Sequence, residues 1–223
     1  MTNADRADDG VGMTSERARL RMVDRLRREG ITHERVLAAM ARVPRHRFID
    51  QALSSRAYDD TALPIGYGQT ISQPYVVARS LELAFGDLPA PASALEIGTG
   101  CGYQAAVMAE LAREVYSIER IGALAQRARQ TLSSCGFGNV KVRVADGREA
   151  ASSVVRFDAI VVAAATAALP DNLPPLLAEG GRLVIPLGPP DVQRLTLIVR
   201  RGDQFTTSVH DAVVFVPLRS GHE

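Results

Sequence analysis

The sequence predicts an α/β fold, in which a doubly wound, mostly parallel sheet has a helical extension before it and an antiparallel hairpin after it. Between residues 94 and 187, short apolar segments alternate with segments of helical spacing, which is the pattern of parallel strands covered by helices. Three alternating glycines follow the first apolar segment, at the turn that joins strand to helix in such sheets. Near the C-terminus, two apolar runs are joined through Gly202 and Asp203 without a helix, which predicts the hairpin.

The composition is that of an ordinary globular protein. Of 223 residues, 46% are apolar and 23% are charged. A chain of this kind can form one domain that buries roughly 70% of its unfolded surface without disulfide bonds. The formal net charge of +1 is not gathered into a basic block, so we expect no nucleic acid among its partners.

The spacing of cysteines and histidines and the length of apolar runs argue against a metalloprotein and a membrane protein. The cysteines, Cys101 and Cys135, have no CxxC spacing, and the four histidines lack metal-ligand spacing. We therefore expect no metal site and a reducing compartment. No apolar run has the length of a membrane span or the character of a signal peptide. These features predict a cytoplasmic protein that has no membrane partner, and we expect it to act as a monomer.

Two helices are predicted in the N-terminal part. Residues 1–13 are polar and acidic, and we expect them to be disordered. A charged helix should follow over residues 14–29, where two good N-cap residues open the segment and Gly30 ends it. Thr32 should cap a second helix, which Pro44 ends.

Residues 45–74 lose any regular period and contain two prolines and two glycines. We expect a loop longer than most connections, and loops of that length are usually functional. We therefore divide the ordered chain into an N-terminal unit of helices and loop over residues 14–75 and a sheet domain over residues 76–223.

Strands and helices of the sheet domain follow from the alternation of apolar patterns. The predicted strands cover residues 94–97, 115–118, 140–144, 157–163 and 183–187, and the hairpin strands cover 195–200 and 209–216. The predicted helices cover residues 103–111, 121–134 and 173–178. Right-handed crossovers make this a doubly wound sheet.

The strongest chemical signal is the segment EIGTGCGY over residues 96–103. Glycine is needed where the backbone turns tightly and a ligand approaches closely. The start of the next helix adds free N–H groups that can bind a carboxylate or a phosphate. A glycine cluster can also be no more than a tight connection, but the strand before it and the helix after it favour a ligand site.

Two further signals lie at the ends of the next strands. Glu119 is at the distance where nucleotide-binding sheets place a carboxylate for ribose hydroxyls, and Asp146 and Gly147 end the third strand. Each carboxylate taken alone also fits a solvated strand end. Because the carboxyl ends of parallel strands meet at one edge, the glycine segment and these residues together describe an adenosine-sized pocket.

The pattern leaves the nucleotide open. Residues 100–105, GCGYQA, also satisfy the dinucleotide fingerprint in its alanine-ended form, with Glu119 close to the expected acidic position. The spacing therefore does not exclude NAD. Glu96 favours a different ligand, because a carboxylate beside the loop opposes a pyrophosphate and attracts a cationic sulfonium or ammonium group.

The long loop resembles the signature of the protein-L-isoaspartate (D-aspartate) O-methyltransferase family, because residues 62–75 read ALPIGYGQTISQPY. Other segments similar to that family are VPR at 43–45, EIGTGCGYQ at 96–104, YSIER at 116–120, FDAI at 157–160, GGRLVIP at 180–186 and FVPL at 215–218. The resemblance covers nearly everything after Thr14. It implies the Rossmann-like fold of class I S-adenosylmethionine-dependent methyltransferases.

The function implied by the resemblance is protein repair. S-adenosyl-L-methionine would be the cofactor, and the α-carboxylate of L-isoaspartyl residues in damaged proteins and peptides would accept the methyl group, with D-aspartyl residues as further candidates. Ser72 matches the family's active-site serine. The implied cofactor-binding residues are Glu96, Gly98, Thr99, Gly100, Gly102, Tyr103, Glu119, Arg120, Asp146, Gly147 and Gln193. The implied substrate-binding residues are Pro64, Ile65, Gly66, Thr70, Ile71 and Ser72.

The chain departs from the family pattern at several positions. Ala163 stands where threonine is common, Ala167 near a frequent proline, Ala145 at a usual glycine and Val214 where some members have arginine, and residues 148–155 replace an aromatic stretch. These changes bear on substrate affinity more than on the type of reaction. Two alternatives stay open. One is a methyltransferase-like protein with altered or lost acceptor specificity, and the other is an NAD-dependent oxidoreductase, although no Tyr-Lys or Cys-His pair for hydride chemistry is evident.

A role for Ser72 follows from the chemistry of the acceptor. A carboxylate is already ionised at pH 7, so methyl transfer to it requires no general base. We therefore expect Ser72 and nearby backbone N–H groups to orient the carboxylate, in a loop long enough to form a lid. The alternative is that Ser72 only caps the helix that follows Pro74.

Overall fold

The structure is a computed structural model that describes residues 12–88, 93–147 and 155–221. Its α-helices are α1 (Glu16–Arg28), α2 (Glu34–Arg42), α3 (Pro74–Phe85), α4 (Tyr103–Ala109) and α5 (Gly122–Ser134). A small hairpin consists of β1 (Leu63–Gly66) and β2 (Gln69–Ile71). The strands of the main sheet are β3 (Ser93–Ile97), β4 (Glu114–Glu119), β5 (Val140–Val144), β6 (Phe157–Val162), β7 (Leu177–Leu187), β8 (Gln193–Arg201) and β9 (Gln204–Val213).

The main sheet confirms the predicted topology. Over the described residues it has seven strands in the order β5-β4-β3-β6-β7-β8-β9. The strands from β5 to β7 are parallel, and β8 and β9 add an antiparallel hairpin at the edge. The chain runs outward from β3 to β5 and then returns to place β6 on the other side of β3. The carboxyl ends of β3 and β6 therefore form the topological switch point, where open α/β sheets bind ligands.

Residue alternation along the strands assigns each side chain to a face. In β3, Ala94 belongs to the hydrophobic cluster that contains residues of all five α-helices, whereas Leu95 and Ile97 belong to a second cluster on the opposite face. Since side chains alternate between faces of a strand, Glu96 points toward the helices. Its carboxylate accepts a hydrogen bond from Gln104 of α4.

The N-terminal helices confirm the predicted elements, but their caps differ in detail. Ser15 caps α1, its side chain accepting from the backbone N–H of Ala18. The predicted cap of α2, Thr32, is wrong, because the cap is His33, whose Nδ1 accepts from the N–H of Val36. The hydroxyl and N–H of Thr32 bind a carboxylate oxygen of Glu82 in α3 instead. Thr32, which is the better N-cap residue by type, therefore makes a tertiary contact with Glu82 instead of capping α2.

The segment 45–74 is more structured than a long loop. It contains two 3₁₀ turns, Arg45–Phe48 and Gln51–Arg56, followed by the β1–β2 hairpin. Tyr67 and Gly68 connect the hairpin strands with positive φ angles of 56° and 67°. That pair of angles suits a tight two-residue hairpin turn, which a glycine adopts easily. The two strands have only four and three residues, which is too short for a recognisable alternating pattern, so the hairpin was not predicted.

Further element boundaries also differ from expectation. The predicted helix over 173–178 is a single 3₁₀ turn at Pro174–Leu176, since β7 already begins at Leu177. The final strand is Gln204–Val213 rather than 209–216, because its exposed edge position allows a polar sequence that carries no apolar signal. The predicted disorder of residues 1–13 lies outside the described residues except at its end, where Gly12–Thr14 form a 3₁₀ turn.

Candidate active site

The glycine segment forms a turn that requires glycine at three places. Gly98, Gly100 and Gly102 have φ angles of 95°, 54° and 91°, a region that side chains rarely adopt. The N–H of Gly98 donates to the carbonyl of Ile118 in β4 at 2.8 Å, which ties the turn to the neighbouring strand. Gly102 is the N-terminal cap of α4. At its glycines the turn thus presents bare backbone at the switch point.

Glu119 holds this turn in place. Its two carboxylate oxygens accept from the N–H of Gly100 at 2.8 Å and from the N–H of Ile121 at 3.0 Å. The side chain is almost fully buried, with 6% of the residue exposed. Each carboxylate oxygen has a second lone pair, so Glu119 can still accept hydrogen bonds from a ligand diol.

Glu96 lies beneath the turn in a chain of polar side chains. Its oxygens accept from Gln104 Nε2 at 3.1 Å and from Ser117 Oγ at 2.5 Å, and Ser117 Oγ is also 2.5 Å from Thr99 Oγ1. Burial raises the pKa of Glu96 to about 8, against the lowering effect of these two donors. The carboxyl is therefore mostly neutral at pH 7. The attraction for a cation inferred from the sequence requires its ionisation.

Asp146 and Gly147 end the third strand of the series, as expected. Asp146 is buried and accepts from the N–H of Gly221 at 2.7 Å, which brings the C-terminal segment to this edge. A Cβ atom on Gly147 would lie 2.3 Å from Ile97 Cγ2, so a side chain there would displace β3 or the backbone after β5. Glycine is needed at this position for close approach.

Ser72 lies between β2 and α3, on the other side of the same cleft. Helix α3 is capped by Gln73, and no side chain forms a capping hydrogen bond there. The capping role considered for Ser72 is therefore wrong. The residue is half-buried, and its backbone carbonyl accepts from Arg45 Nη2 at 2.7 Å.

A cavity joins these elements at the carboxyl edge of the sheet. About 840 Å³ of space lies between these elements, with the open solvent at its mouth included. Of the predicted site residues, the cavity is lined by Thr70, Ile71, Ser72, Glu96, Gly98, Thr99, Gly100, Tyr103, Glu119, Arg120 and Gly147. The predicted residues outside its lining are Pro64, Ile65, Gly66, Gly102, Asp146 and Gln193.

Some of these outer residues contact the lining rather than the cavity itself. Ile65 packs against the glycine turn, because a Cβ on Gly100 would lie 3.2 Å from Ile65 Cδ1. Gln193 is held elsewhere, since its amide donates to the carbonyls of Pro189 and Pro190 and accepts from the N–H of Phe215. The geometry therefore does not support direct cofactor binding by Gln193, but the bond to Phe215 anchors the segment that follows.

Several residues that line the cavity have no role in the sequence-based prediction. The segment 216–219 forms one wall, where the N–H of Ala165 donates to the carbonyl of Val216 and the N–H of Leu218 donates to that of Ala165. The other lining residues without a predicted role are Gln69, Val77, Ile97, Cys101, Gln104, Ile118, Ile121, Ala163 and Ala164. The FVPL motif at 215–218 was the available signal, but it carries no chemical group that would identify a site.

A second cavity opens beside the first. The two share Thr70, Ser72, Ala163 and Val216. The remaining lining of the second cavity is Ala62, Gln73, Val76, Val192, Ala212, Val213, Val214 and Phe215. The departures Ala163 and Val214 therefore lie at this cavity rather than at a distant surface. Among the described residues, no charged side chain lines it.

No group of three or more His, Cys, Asp or Glu side chains within residues 12–88, 93–147 and 155–221 could hold a metal ion. In the same part of the chain, no helix is long and apolar enough to cross a membrane.

Comparison with known sequences gives a consistent picture. Residues 17–223 match the family described as protein-L-isoaspartate(D-aspartate) O-methyltransferase. A protein-L-isoaspartate O-methyltransferase of Halorhodospira halophila is 52% identical over 95% of this chain and 96% of its own length. One from Stenotrophomonas maltophilia is 54% identical over 95% of this chain and 93% of its own.

Solved structures of similar fold agree with the sequence comparison. A beta-aspartate methyltransferase (PCMT) from Plasmodium falciparum, in complex with S-adenosyl-L-homocysteine, superposes with a TM-score of 0.80 at 27% identity. The similarity covers 90% of this chain and 98% of that one. A structure named protein-L-isoaspartate O-methyltransferase shares the fold at a TM-score of 0.81 and 24% identity, over 91% of this chain and 66% of that one.

Proposed function

The chain belongs to the protein-L-isoaspartate(D-aspartate) O-methyltransferase family, and we propose that it transfers a methyl group from S-adenosylmethionine to the α-carboxylate of L-isoaspartyl residues in damaged proteins. The observation that carries this proposal is the meeting of two cavities at Ser72. One cavity contains the glycine turn, and the other lies beside it and is lined mainly by apolar residues. A cofactor and a peptide can therefore approach Ser72 from different directions.

The residues of the first cavity fit S-adenosylmethionine. Gly98 and Gly100 have positive φ, line the cavity and leave room for close approach of a ligand, and the position of Gly147 admits no side chain. Gly98, Gly100 and Gly102 would hold the methionine part, Glu119 would accept from the ribose hydroxyls, and Asp146 and Gly147 would lie near the adenine. The bound cofactor supplies a methyl group on a cationic sulfur.

The second cavity suits an ionised carboxylate that must react. The Ser72 hydroxyl can donate a hydrogen bond to the acceptor oxygen and so fix its direction. Walls of Val76, Val213 and Phe215 remove water from the carboxylate, and no described cation in them would lower its nucleophilicity by pairing with it. Because the acceptor is already ionised at neutral pH, none of these residues has to remove a proton.

We also infer the partners, the location and the oligomeric state of the enzyme. We expect it to act as a monomer on damaged proteins and peptides in the cytoplasm, without nucleic acid. A net charge of +1 supports the last point, because phosphate backbones are bound by clusters of positive charge. Sedimentation of the purified protein tests the monomer, and a mass of two chains would contradict it.

A methyl-transfer assay tests the function. The enzyme is incubated with tritium-labelled S-adenosylmethionine and a synthetic peptide that contains one L-isoaspartyl residue, or with its twin that contains aspartate. We expect base-labile label in the isoaspartyl peptide alone, and a D-aspartyl twin measures the second acceptor. Cofactor binding without label in any peptide would indicate a protein that has lost acceptor chemistry.

A further inference from the structure

Arg45 is a charged side chain in the interior of the protein. It begins the first 3₁₀ turn after α2, and none of its surface is exposed. None of the described residues forms an ion pair with it, and its Nη1 has no hydrogen-bond partner among them. Burial lowers the pKa of Arg45. Asp60 is near enough to attract the charge, but without a close ion pair a buried cation still costs folding free energy, which suggests that the contacts of Arg45 serve a role besides stability.

The contacts of Arg45 join two parts of the proposed active site. Nε donates to the carbonyl of Ala57 at 2.8 Å, and Nη2 donates to the carbonyl of Ser72 at 2.7 Å. The guanidinium also lies over the ring of Tyr103, 4.8 Å from its centroid. Tyr103 is the first residue of α4, directly after Gly102. One rigid group therefore contacts both the Ser72 segment and the end of the glycine turn.

We propose that Arg45 is a positioning residue, which fixes the Ser72 segment relative to the glycine turn and thereby sets the approach of the acceptor carboxylate to the methyl group. The inference rests on the proposed function. A planar guanidinium can bond two carbonyls through two separate nitrogens while it stacks flat on a ring, whereas an ammonium group has a single nitrogen and no flat face. Misplacement of reacting groups by about 1 Å can lower a rate roughly a hundredfold.

Two variants separate positioning from general stability. Arg45→Lys keeps the charge but loses the fork, and Arg45→Met keeps most of the length without donors. The matched control is Arg182→Met, because Arg182 is half-buried and its Nε donates to the carbonyl of Leu83 at 2.7 Å, away from both cavities. Each protein is measured for kcat on the isoaspartyl peptide, for affinity for S-adenosylhomocysteine, for Tm and for hydrogen exchange over residues 57–73.

The expected pattern is a split between turnover and binding. For Arg45→Lys, kcat should fall between about tenfold and a hundredfold while affinity for S-adenosylhomocysteine changes less than about twofold. Exchange should rise over residues 57–73, and Arg182→Met should lose Tm without these effects. Arg45→Met should lose more turnover than Arg45→Lys.

Several results would overturn the inference. The inference fails if Arg45→Lys has the kcat and the hydrogen exchange of the wild type. It also fails if Arg45→Lys and Arg182→Met lose turnover and cofactor affinity in the same proportion to their loss of Tm. If neither Arg45 variant folds, the residue serves folding and not positioning. Failure of the proposed function is distinct, because then the wild type itself would not label the isoaspartyl peptide. In that case the exchange comparison still decides whether Arg45 orders the Ser72 segment.

Discussion

Buried carboxylates at this site differ in the groups that donate to them. Glu119 accepts two backbone N–H bonds, so it shapes the glycine turn directly. Glu96 accepts from the side chains of Gln104 and Ser117, which stabilise its charge less than burial destabilises it. The hydrogen-bond partners therefore decide which carboxylate organises the backbone and which one joins a network of side chains.

Replacement of Ser72 by alanine should remove the hydrogen bond that orients the acceptor. A hydrogen bond to a charged group contributes about 1.5–3 kcal/mol, so we expect kcat/KM to fall between about tenfold and a hundredfold. Affinity for S-adenosylhomocysteine, measured by calorimetry, should not change. Ser54→Ala, in a 3₁₀ turn outside both cavities, serves as the control. Undiminished methylation by Ser72→Ala would refute the role.

Glu96→Gln should change how stability depends on pH. Because burial raises the pKa of Glu96 from 4.5 to about 8, its stabilising contribution is complete below pH 4.5 and is lost as pH rises through 8. Glutamine does not titrate, so Tm of the variant minus Tm of the wild type should increase from pH 5 to pH 9. Thermal unfolding monitored by circular dichroism measures it. A difference that is constant with pH would show that the carboxyl is not buried as described.

The elements that were predicted well have either a periodic pattern of apolar residues or a glycine at a position where the backbone requires one. Strands β3 to β6 and helix α5 lie within one or two residues of expectation, and Gly136 ends α5 with a φ of 83°. Most residues predicted for the first cavity do lie together, because strand ends of a parallel sheet converge, but Gly102 and Asp146 are outside its lining. Long-range contacts were not predictable. Thr32 binds Glu82 of α3 instead of capping α2. Gln193 accepts a hydrogen bond from Phe215 instead of lining the cavity.

The glycine turn gives a test at the scale of the element. Gly98→Ala places a side chain at a φ of 95°, which costs about 1–2 kcal/mol in a left-handed conformation. We expect the turn to move so that this strain is relieved, and the affinity for S-adenosylhomocysteine should then fall about tenfold. Gly136→Ala imposes similar strain at a φ of 83° with no atom near the new Cβ.

The paired variants distinguish strain from ligand binding. Both should lower the free energy of unfolding by a similar amount in urea titration, whereas only Gly98→Ala should weaken the cofactor. Equal cofactor affinity in both variants would mean that the turn does not contact the ligand.

At the scale of the whole molecule, the N-terminal unit and the sheet share one hydrophobic cluster. It includes Met22 of α1, Leu37 of α2 and Val184 of β7. Since the cluster crosses the boundary at residue 75, the helices that support Ser72 and the sheet that carries the glycine turn should unfold together. Cofactor binding to the sheet should therefore stabilise the whole chain.

Thermal unfolding with two ligands tests this cooperativity. A ligand at a hundred times its Kd stabilises the native state by about 2.7 kcal/mol. For a chain of this size we expect S-adenosylhomocysteine to raise a single Tm by roughly 5–10 °C. NADH at the same concentration should leave Tm unchanged. A rise with NADH would restore the oxidoreductase alternative, and two separate transitions would contradict a shared core.

The central claim is that Ser72 holds the acceptor carboxylate opposite a methyl group seated on the turn of Gly98, Gly100 and Gly102. A crystal structure of the protein with S-adenosylhomocysteine and an isoaspartyl peptide measures this directly. We expect the homocysteine against the three glycines, and the peptide's α-carboxylate hydrogen-bonded to Ser72 on the side that faces the sulfur. A carboxylate bound away from Ser72, or a nucleotide outside the first cavity, would contradict the account.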